Sequence, residues 1–390
     1  MSTEKILDKG SFLKGVEIGR ALRRWSGYAP APQPETGPFQ MKVNMQNYGI
    51  VRFAADMRGT FVIDWGDGVS ESVANTGTAG IQHDYPSLGE YTITIEGDLL
   101  YLGHGPWTRN GLKAVTELLS PLPASLSNIY YAFSECSGLT SVPADLFSRC
   151  GGLKTLTGCF YQSPITDIPP GLFAGAPNVT SFESCFASCT ALHEIPAGLF
   201  DGCSKATNFE SCFMGCSAIT GIPAGLFDDC AEALTFASCF KNCSKLVDAP
   251  SGLFQNQRNA TRFTSCFGSC SALASVPENL FAGCAAATQF DGCFQMCKAL
   301  MGVDSGLFAS SPLAETFRAC FSNCVKLTDA PEDLFDNNPA ITQLNECFLR
   351  CLKLSHAPAL WVSFPNASHT KCFSSCSIAD NYDEIPSGWK

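Results

Sequence analysis

The chain of 390 residues has no run of 18 or more apolar residues, so no stretch of it is long enough to cross a membrane as a helix. Charge is scarce: 16% of residues are Asp, Glu, Lys or Arg, and their balance is acidic, at −11. A surface of that sign repels polyphosphate, which argues against nucleic acid as a partner. Histidine is rarer still, with five copies scattered at positions 83, 104, 193, 356 and 369. Catalytic motifs are missing too: there is no phosphate-cradling glycine loop, no H-E-x-x-H and no G-x-S-x-G. Acidic pairs such as Asp228-Asp229 and Glu332-Asp333 fall in variable stretches and read as solvated charge. Catalysis needs an asymmetric cluster of groups, so the expectation is a protein that is not an enzyme and carries no cofactor. The opening MSTEKILDKGSFLKGVEIGRALRRW is charged throughout and lacks the apolar centre of a secretory signal; folding in a reducing cytosol is expected.

What the chain has in quantity is phenylalanine, 29 copies, and cysteine, 22 copies, in recurring words such as SCFASC, SCFMGC, SCFKNC and SCFGSC. The marked phenylalanines are Phe133, Phe160, Phe186, Phe213, Phe240, Phe267, Phe294, Phe321, Phe348 and Phe373, at intervals of 25 to 27 residues. A fixed period in this range is the signature of a solenoid of stacked supersecondary units. The fuller unit reads ATNFESCFMGCSAITGIPAGLF at Ala206–Phe227, with Phe209, Phe213, Ile219, Ile222, Leu226 and Phe227 as its inner positions.

Every cysteine belongs to the repeat. Nine precede the marked Phe, nine follow it by three, and Cys150, Cys203, Cys230 and Cys284 share a third position, which accounts for all 22. Other copies place Ala132, Ser163, Ala176, Ser311 or Asn338 at the same positions, swaps that neither a disulfide nor a metal site tolerates. Zinc sites also favour shorter cysteine gaps and histidine partners. Packing as a small, readily buried hydrophobe is therefore ranked first, metal binding second and disulfides third.

Within a unit, a short strand is predicted at segments such as ALHEIP (Ala191–Pro196), ended by a proline that cannot donate to a ladder. A tight turn follows at AGLF, and TNFESCF is a second extended or helical segment. At about 4.8 Å per coil, ten coils make a rod of roughly 45 Å. The stretch His104–Phe133 reads as an imperfect first coil, and ALWVSF with the tail SIADNYDEIPSGWK reads as a closing cap. The unit resembles the BspA-like leucine-rich repeats over residues 105–385, which implies a surface-exposed binding or adhesion role. The constant I-P-x-G-L-F and the extra cysteine before Phe depart from that pattern.

Residues 39–97 alternate apolar and polar side chains between turn signals, the mark of a small antiparallel sandwich. Trp65, Gly66, Asp67, Gly68, His83, Tyr85, Gly89, Tyr91 and Ile93 make this stretch similar to the PKD domain, a family that implies a spacer role in surface proteins. Asp64 and Asp67 can be read as calcium ligands; turn formation by Asp67-Gly68 is the favoured reading.

Residues 1–28 suit an amphipathic anchoring or oligomerisation helix with Phe12, Gly15, Val16, Gly19, Leu22 and Trp25 on its docking side, and residues 29–38 a stiff Pro-rich linker. FLKGVEIG also resembles the start of tail-associated phage proteins. The fold class expected is mainly β with short helical turns: an N-terminal helix, a PKD-like sandwich over 39–97, and a leucine-rich-repeat solenoid of about ten 27-residue coils with caps over 98–390.

The function expected is non-catalytic binding, with a phage virion protein that contacts a host-surface glycan or protein as the leading reading. A bacterial cell-surface adhesin is the alternative, and an enzyme or metal–thiolate protein ranks last. Partners expected are the host glycan or protein, other virion proteins through the N-terminal helix, and a second copy of the chain. Recognition is assigned to variable positions of the repeat: Gln255, Asn256, Arg258, Asn259 and Arg262 in one copy, Asp336, Asn337, Asn338 and Gln343 in another.

Overall fold

The computed structural model describes residues 37–74, 80–103 and 112–390. The helix assigned to residues 1–28, with Phe12, Gly15, Val16, Gly19, Leu22 and Trp25, lies outside the described residues, as does most of the linker. The expected fold class needs correction. Among the described residues, helix amounts to Leu360–Ser363 and two single 3₁₀ turns, Tyr382–Glu384 and Ser387–Trp389. The rest is strand and stacked turn.

Eight strands build the first part: β1 (Phe39–Asn44), β2 (Ile50–Asp64), β3 (Ser70–Ala74), β4 (Ile81–Asp84), β5 (Glu90–Gly103), β6 (Val115–Leu118), β7 (Asn128–Tyr130) and β8 (Thr155–Thr157). Strand β2 pairs antiparallel with β3, β4 and β5, and β1 lies antiparallel between β5 and β6. Alternation explains which side each strand buries: β1 hides Phe39, Met41 and Val43 and leaves Gln40, Lys42 and Asn44 half-buried. The far end of β5 changes partner. Tyr101–Gly103 runs parallel to β7, and β7 parallel to β8, so the ladder of the repeats starts on a strand of the antiparallel module. Residue 97 therefore falls inside β5, and the sheet is continuous across it.

From β8 onward, four backbone amides of each ladder segment donate forward along the axis to the next coil. In one copy the N–H groups of Phe182, Ser184, Phe186 and Ser188 donate to the carbonyls of Asn208, Glu210, Cys212 and Met214 in the next coil. The intervening N–H groups of Cys185, Ala187 and Cys189 close turns on Phe182, Ser184 and Phe186. Every backbone donor in the segment is thus spent, half along the stack and half within the coil. This pattern requires a left-handed residue before each of the two thiols, and Ser184, Ser188, Ser211, Ser238, Asn242 and Ser265 all have φ between 53° and 63°. Such conformations cost a non-glycine residue about 1–3 kcal/mol, and Gly158, Gly215 and Gly292 relieve it in three copies.

The ladder therefore runs along the TNFESCF segment, through paired Ser181, Asn208, Thr235, Arg262, Gln289, Thr316, Gln343 and Ser368. At the expected L-x-x-I-P strand only isolated pairs form, Ser141 with Asp167 and Gly302 with Asp329, because proline ends the run of donors there.

Three phenylalanine columns fill the interior. The marked Phe residues stack from Phe133 to Phe373 with centroids 5.3–5.9 Å apart and planes within 20° of parallel. Columns through Phe200 and Phe209 run beside it and meet each other edge to face at 5.0 Å. The thiols fill the gaps in two ways. Cys212 and its equivalents before the marked Phe are fully buried, and Ala132 takes their place in one copy, as expected of small filler. The second column also donates: Cys189, Cys216, Cys243 and Cys270 point S–H at the carbonyls of Phe160, Phe186, Phe213 and Phe240 at 3.0–3.2 Å. Ser163 makes the same bond to Phe133 at 2.7 Å.

The last coil is closed by imitation of a further one. Trp389 accepts the N–H of Phe373 and stacks on His369 at 4.1 Å, and Asn381 exchanges two hydrogen bonds with the backbone of Ala357. His356 ties this cap to the coil before it, touching Glu332 at 2.7 Å and Asp380 at 2.5 Å.

Two outcomes follow from this packing. Phe240→Ala costs about 3–5 kcal/mol in urea unfolding, whereas Cys243→Ser, which keeps a donor, is milder than Cys243→Val by about 1–3 kcal/mol. Equal costs for Ser and Val would remove the hydrogen-bonding role of the second thiol column. The hydrogen bond to Asp380 raises the His356 pKa; burial opposes it, and the bond to Glu332 adds to the rise. Its stabilisation is therefore complete below the ordinary histidine value and is lost as pH rises through the raised one. With all three groups largely exposed the effect is about 0.2–1 kcal/mol, seen as a melting-temperature gap between wild type and His356→Ala that closes at alkaline pH.

Candidate functional site

Because Phe209 and its equivalents point inward, the residues on either side of them point outward. Most coils thus present one ladder side chain and a second two residues later, such as Asn208 and Glu210, Gln289 and Asp291, Thr316 and Arg318, Gln343 and Asn345; in one coil the pair is Thr235 and Ala237, both buried. Coils about 4.8 Å apart carry these pairs into two parallel polar columns along the stack. The columns carry charges of both signs, Arg262 in the first and Glu183, Glu210, Asp291 and Arg318 in the second. Arg262 reaches Glu210 at 3.4 Å, Asn208 donates to Glu183 at 3.2 Å, and Asp291 accepts the Arg318 amide. The face is hydroxyl-, amide- and carboxylate-rich, and its identity changes from coil to coil while its backbone does not.

The residues expected to bind ligand divide between two places. Arg262 and Gln343 lie on the ladder, three coils apart, with Gln289 and Thr316 between them. Gln255, Asn256, Arg258 and Asn259 lie on the preceding edge of their coil, and Asp336 and Asn337 occupy the same edge three coils further on. On that edge much of the polarity joins coils together: Gln255 donates to Asp228, Asn256 to the Asp228 carbonyl, and Asn259 to the Ala231 carbonyl. Asn338 is a correction. It is fully buried at the third cysteine position, where its amide N–H groups donate to the carbonyls of Phe308 and Ser311, out of reach of a ligand. Gln257 does the same with Phe227. An interior column that usually holds Cys accepts any side chain able to donate to the coil before it.

In the antiparallel module, Asp64 and Asp67 each cap a backbone N–H of the hairpin, those of Gly66 and Val69. Gly66 has φ +78°, and a Cβ there would collide with Thr92, so this turn position demands glycine. His83 bonds the second Asp67 oxygen at 2.8 Å while stacked on Trp65, whose carbonyl accepts from Tyr85. Burial alone raises the Asp67 carboxyl, but the bonds from His83 and Val69 outweigh it and hold the group below its ordinary value. These groups are struts of the hairpin. Among the described residues no three His, Cys, Asp or Glu side chains are arranged to hold a metal ion.

One group went unnoticed in the sequence. Tyr130 and Tyr131 stand where later coils carry Glu-Ser or its equivalents, and Tyr161 follows a marked Phe. Their rings meet edge to face, Tyr130 with Tyr131 at 4.8 Å and Tyr131 with Tyr161 at 5.7 Å, at the first coils of the ladder. Tyr131 itself is left-handed and lies against Gly158, where any Cβ would strike its ring. The signal was the doublet in NIYYAF, which breaks the repeat only at outward positions.

No family model matches the chain, and no curated protein matches it. Solved structures that it is similar to include Toll in the Toll–Spatzle complex of Drosophila, at 15% identity and a TM-score of 0.36, covering 63% of this chain and 29% of that one. The leucine-rich repeat domain of the type III effector XopL is 16% identical at a TM-score of 0.33, with 62% and 67% covered. A leucine-rich cell surface protein of Faecalibacterium prausnitzii is 14% identical at 0.19, with 81% and 98% covered. This chain thus spans less than a third of the Toll chain. With every TM-score below 0.5, the repeat assignment stands on the coil geometry itself.

The thiols take no part in any surface. Burial pushes Cys189, Cys270 and Cys324 up to about 12, against a smaller opposing effect from backbone amides. A thiol that cannot ionise is neither nucleophile nor metal ligand at neutral pH. Ellman's reagent at pH 8 accordingly titrates fewer than about one thiol in the folded protein and all 22 in denaturant. Rapid labelling of several native thiols would show the columns to be open.

Proposed function

We propose that this chain is a non-catalytic recognition protein that binds an extended ligand, a glycan or a protein of a host-cell surface, along the polar ladder face. The supporting observation is the separation of tasks in the coil. Phe, Cys and the axial amides are fully occupied with stacking, while up to two outward side chains per coil vary in chemistry without disturbing them. Such a surface suits contacts spread over many coils in preference to a single deep pocket. Within this reading the chain serves as a receptor-binding component of a phage tail, a reading supported by the FLKGVEIG resemblance. An adhesin of a bacterial cell surface is the second reading, favoured by the WGDG hairpin of a spacer-type module.

The test is binding of full-length protein to host cells or their surface extracts. Replacing Arg262, Gln289 and Arg318 with alanine weakens binding by at least about 10-fold, whereas alanine at Gln255 and Asn256 on the coil edge changes it by less than about 3-fold. Unchanged binding by the ladder variant, with its melting temperature intact, refutes the assignment of the face.

A further inference from the structure

The first coils of the ladder differ from the rest. Over the later coils the outward columns hold amides, hydroxyls, charges and one alanine; here Tyr130 enters the second column, with Tyr131 next to it and Tyr161 joining from the following coil. Tyr130 is 46% exposed, and its two partners are half-buried. Tyr130 occupies the same column as Thr157 and Glu183 one and two coils on, and Thr157 shares its hydroxyl with Thr155 at 2.8 Å. The outward residues beside the rings include Thr157, Ser181 and Glu183, and Gln162 donates to the Tyr161 hydroxyl at 3.0 Å.

We propose that this aromatic step, Tyr130, Tyr131 and Tyr161 beside Thr157, Ser181 and Glu183, is a binding subsite for a neutral oligosaccharide. The inference rests on the ladder face being the recognition surface and names the class of ligand it takes.

Three features lead to that class. The C–H faces of a sugar ring pack on phenol rings by dispersion, and a tyrosine adds a hydroxyl at the rim. A row of hydroxyls ending in a carboxylate matches vicinal sugar hydroxyls, since an ionised oxygen accepts from them in short charge-assisted bonds. The chain's net charge of −11, with Glu183 inside the site, disfavours acidic glycans.

The repeat supplies substitutions that spare the fold. Thr157, Ser184 and Ala187 hold the positions of Tyr130, Tyr131 and Tyr161 in the following coils, so Tyr130→Thr, Tyr131→Ser and Tyr161→Ala rebuild an ordinary coil. The full-length protein and this triple variant are compared on an array of neutral and acidic oligosaccharides, followed by titration of the neutral glycan with the highest signal. The expected result is binding of at least one neutral glycan, weakened at least about 10-fold in the variant at an unchanged melting temperature. Binding restricted to acidic glycans, binding to none, or equal titration of the two proteins overturns the proposal. The host-cell assay separates the two readings. Cell binding that depends on Arg262, Gln289 and Arg318 but not on the tyrosines leaves the ladder face in place and removes only the sugar subsite.

Discussion

Alternate backbone amides pointing along the stack are the constraint on which the rest of this protein depends. A coil whose Phe182, Ser184, Phe186 and Ser188 amides all donate forward must turn sharply between donors, and the left-handed residues before the thiols provide those turns. The turns bring side chains so close to the axis that only small ones fit beside the phenylalanines. Sulfur suits that place: it is compact and apolar enough to be buried, and its S–H can still satisfy a second lone pair on the carbonyl of the coil before it. Backbone strain, thiol columns and ring stacks are three consequences of one hydrogen-bond pattern.

The same pattern explains how the array begins and ends. A stack of identical coils leaves one row of acceptors and one row of donors unpaired. At the start, β5 supplies a strand that is antiparallel to its own module and parallel to β7, so the first coil meets a real sheet. At the end, the Trp389 carbonyl takes the Phe373 amide, and the Asn381 amide group plays the part of a peptide unit for Ala357. The apolar ends are covered by the same means: Phe39 packs on Phe133, and Trp389 on Phe373.

Function is left to the positions that this scaffold does not use. Inward positions are restricted to Phe, Leu, Ile, Val, Ala, Cys and the few polar residues that can reach a neighbouring carbonyl. Outward positions are restricted only by solubility, and along the ladder they carry Asn, Thr, Arg, Gln, Glu and Asp in changing order, with tyrosines gathered at one end. Coil edges fall between the two, since Gln255 and Asn256 are exposed yet bond the half-buried Asp228 of the coil before and hold adjacent coils together.

The 27-residue period, the membership of every cysteine in the array and the inward set of Phe209, Phe213 and Phe227 were all legible in the sequence, because a repeated interior forces the same residue into the same place each time. The hairpin at Asp67-Gly68 was legible for a local reason, the turn chemistry of those two residues. Tertiary structure alone decided where the ladder runs. Pattern marked both ALHEIP and TNFESCF as extended, and the amide directions, which side-chain spacing does not encode, selected the second. It also showed how Asn338, whose place in the cysteine column the repeat already marked, spends its N–H groups on the carbonyls of earlier coils while Asn337 faces solvent. Finally, it gathered Tyr130, Tyr131 and Tyr161 on one face, since only the pitch of the coils brings residues some thirty positions apart to within ring contact.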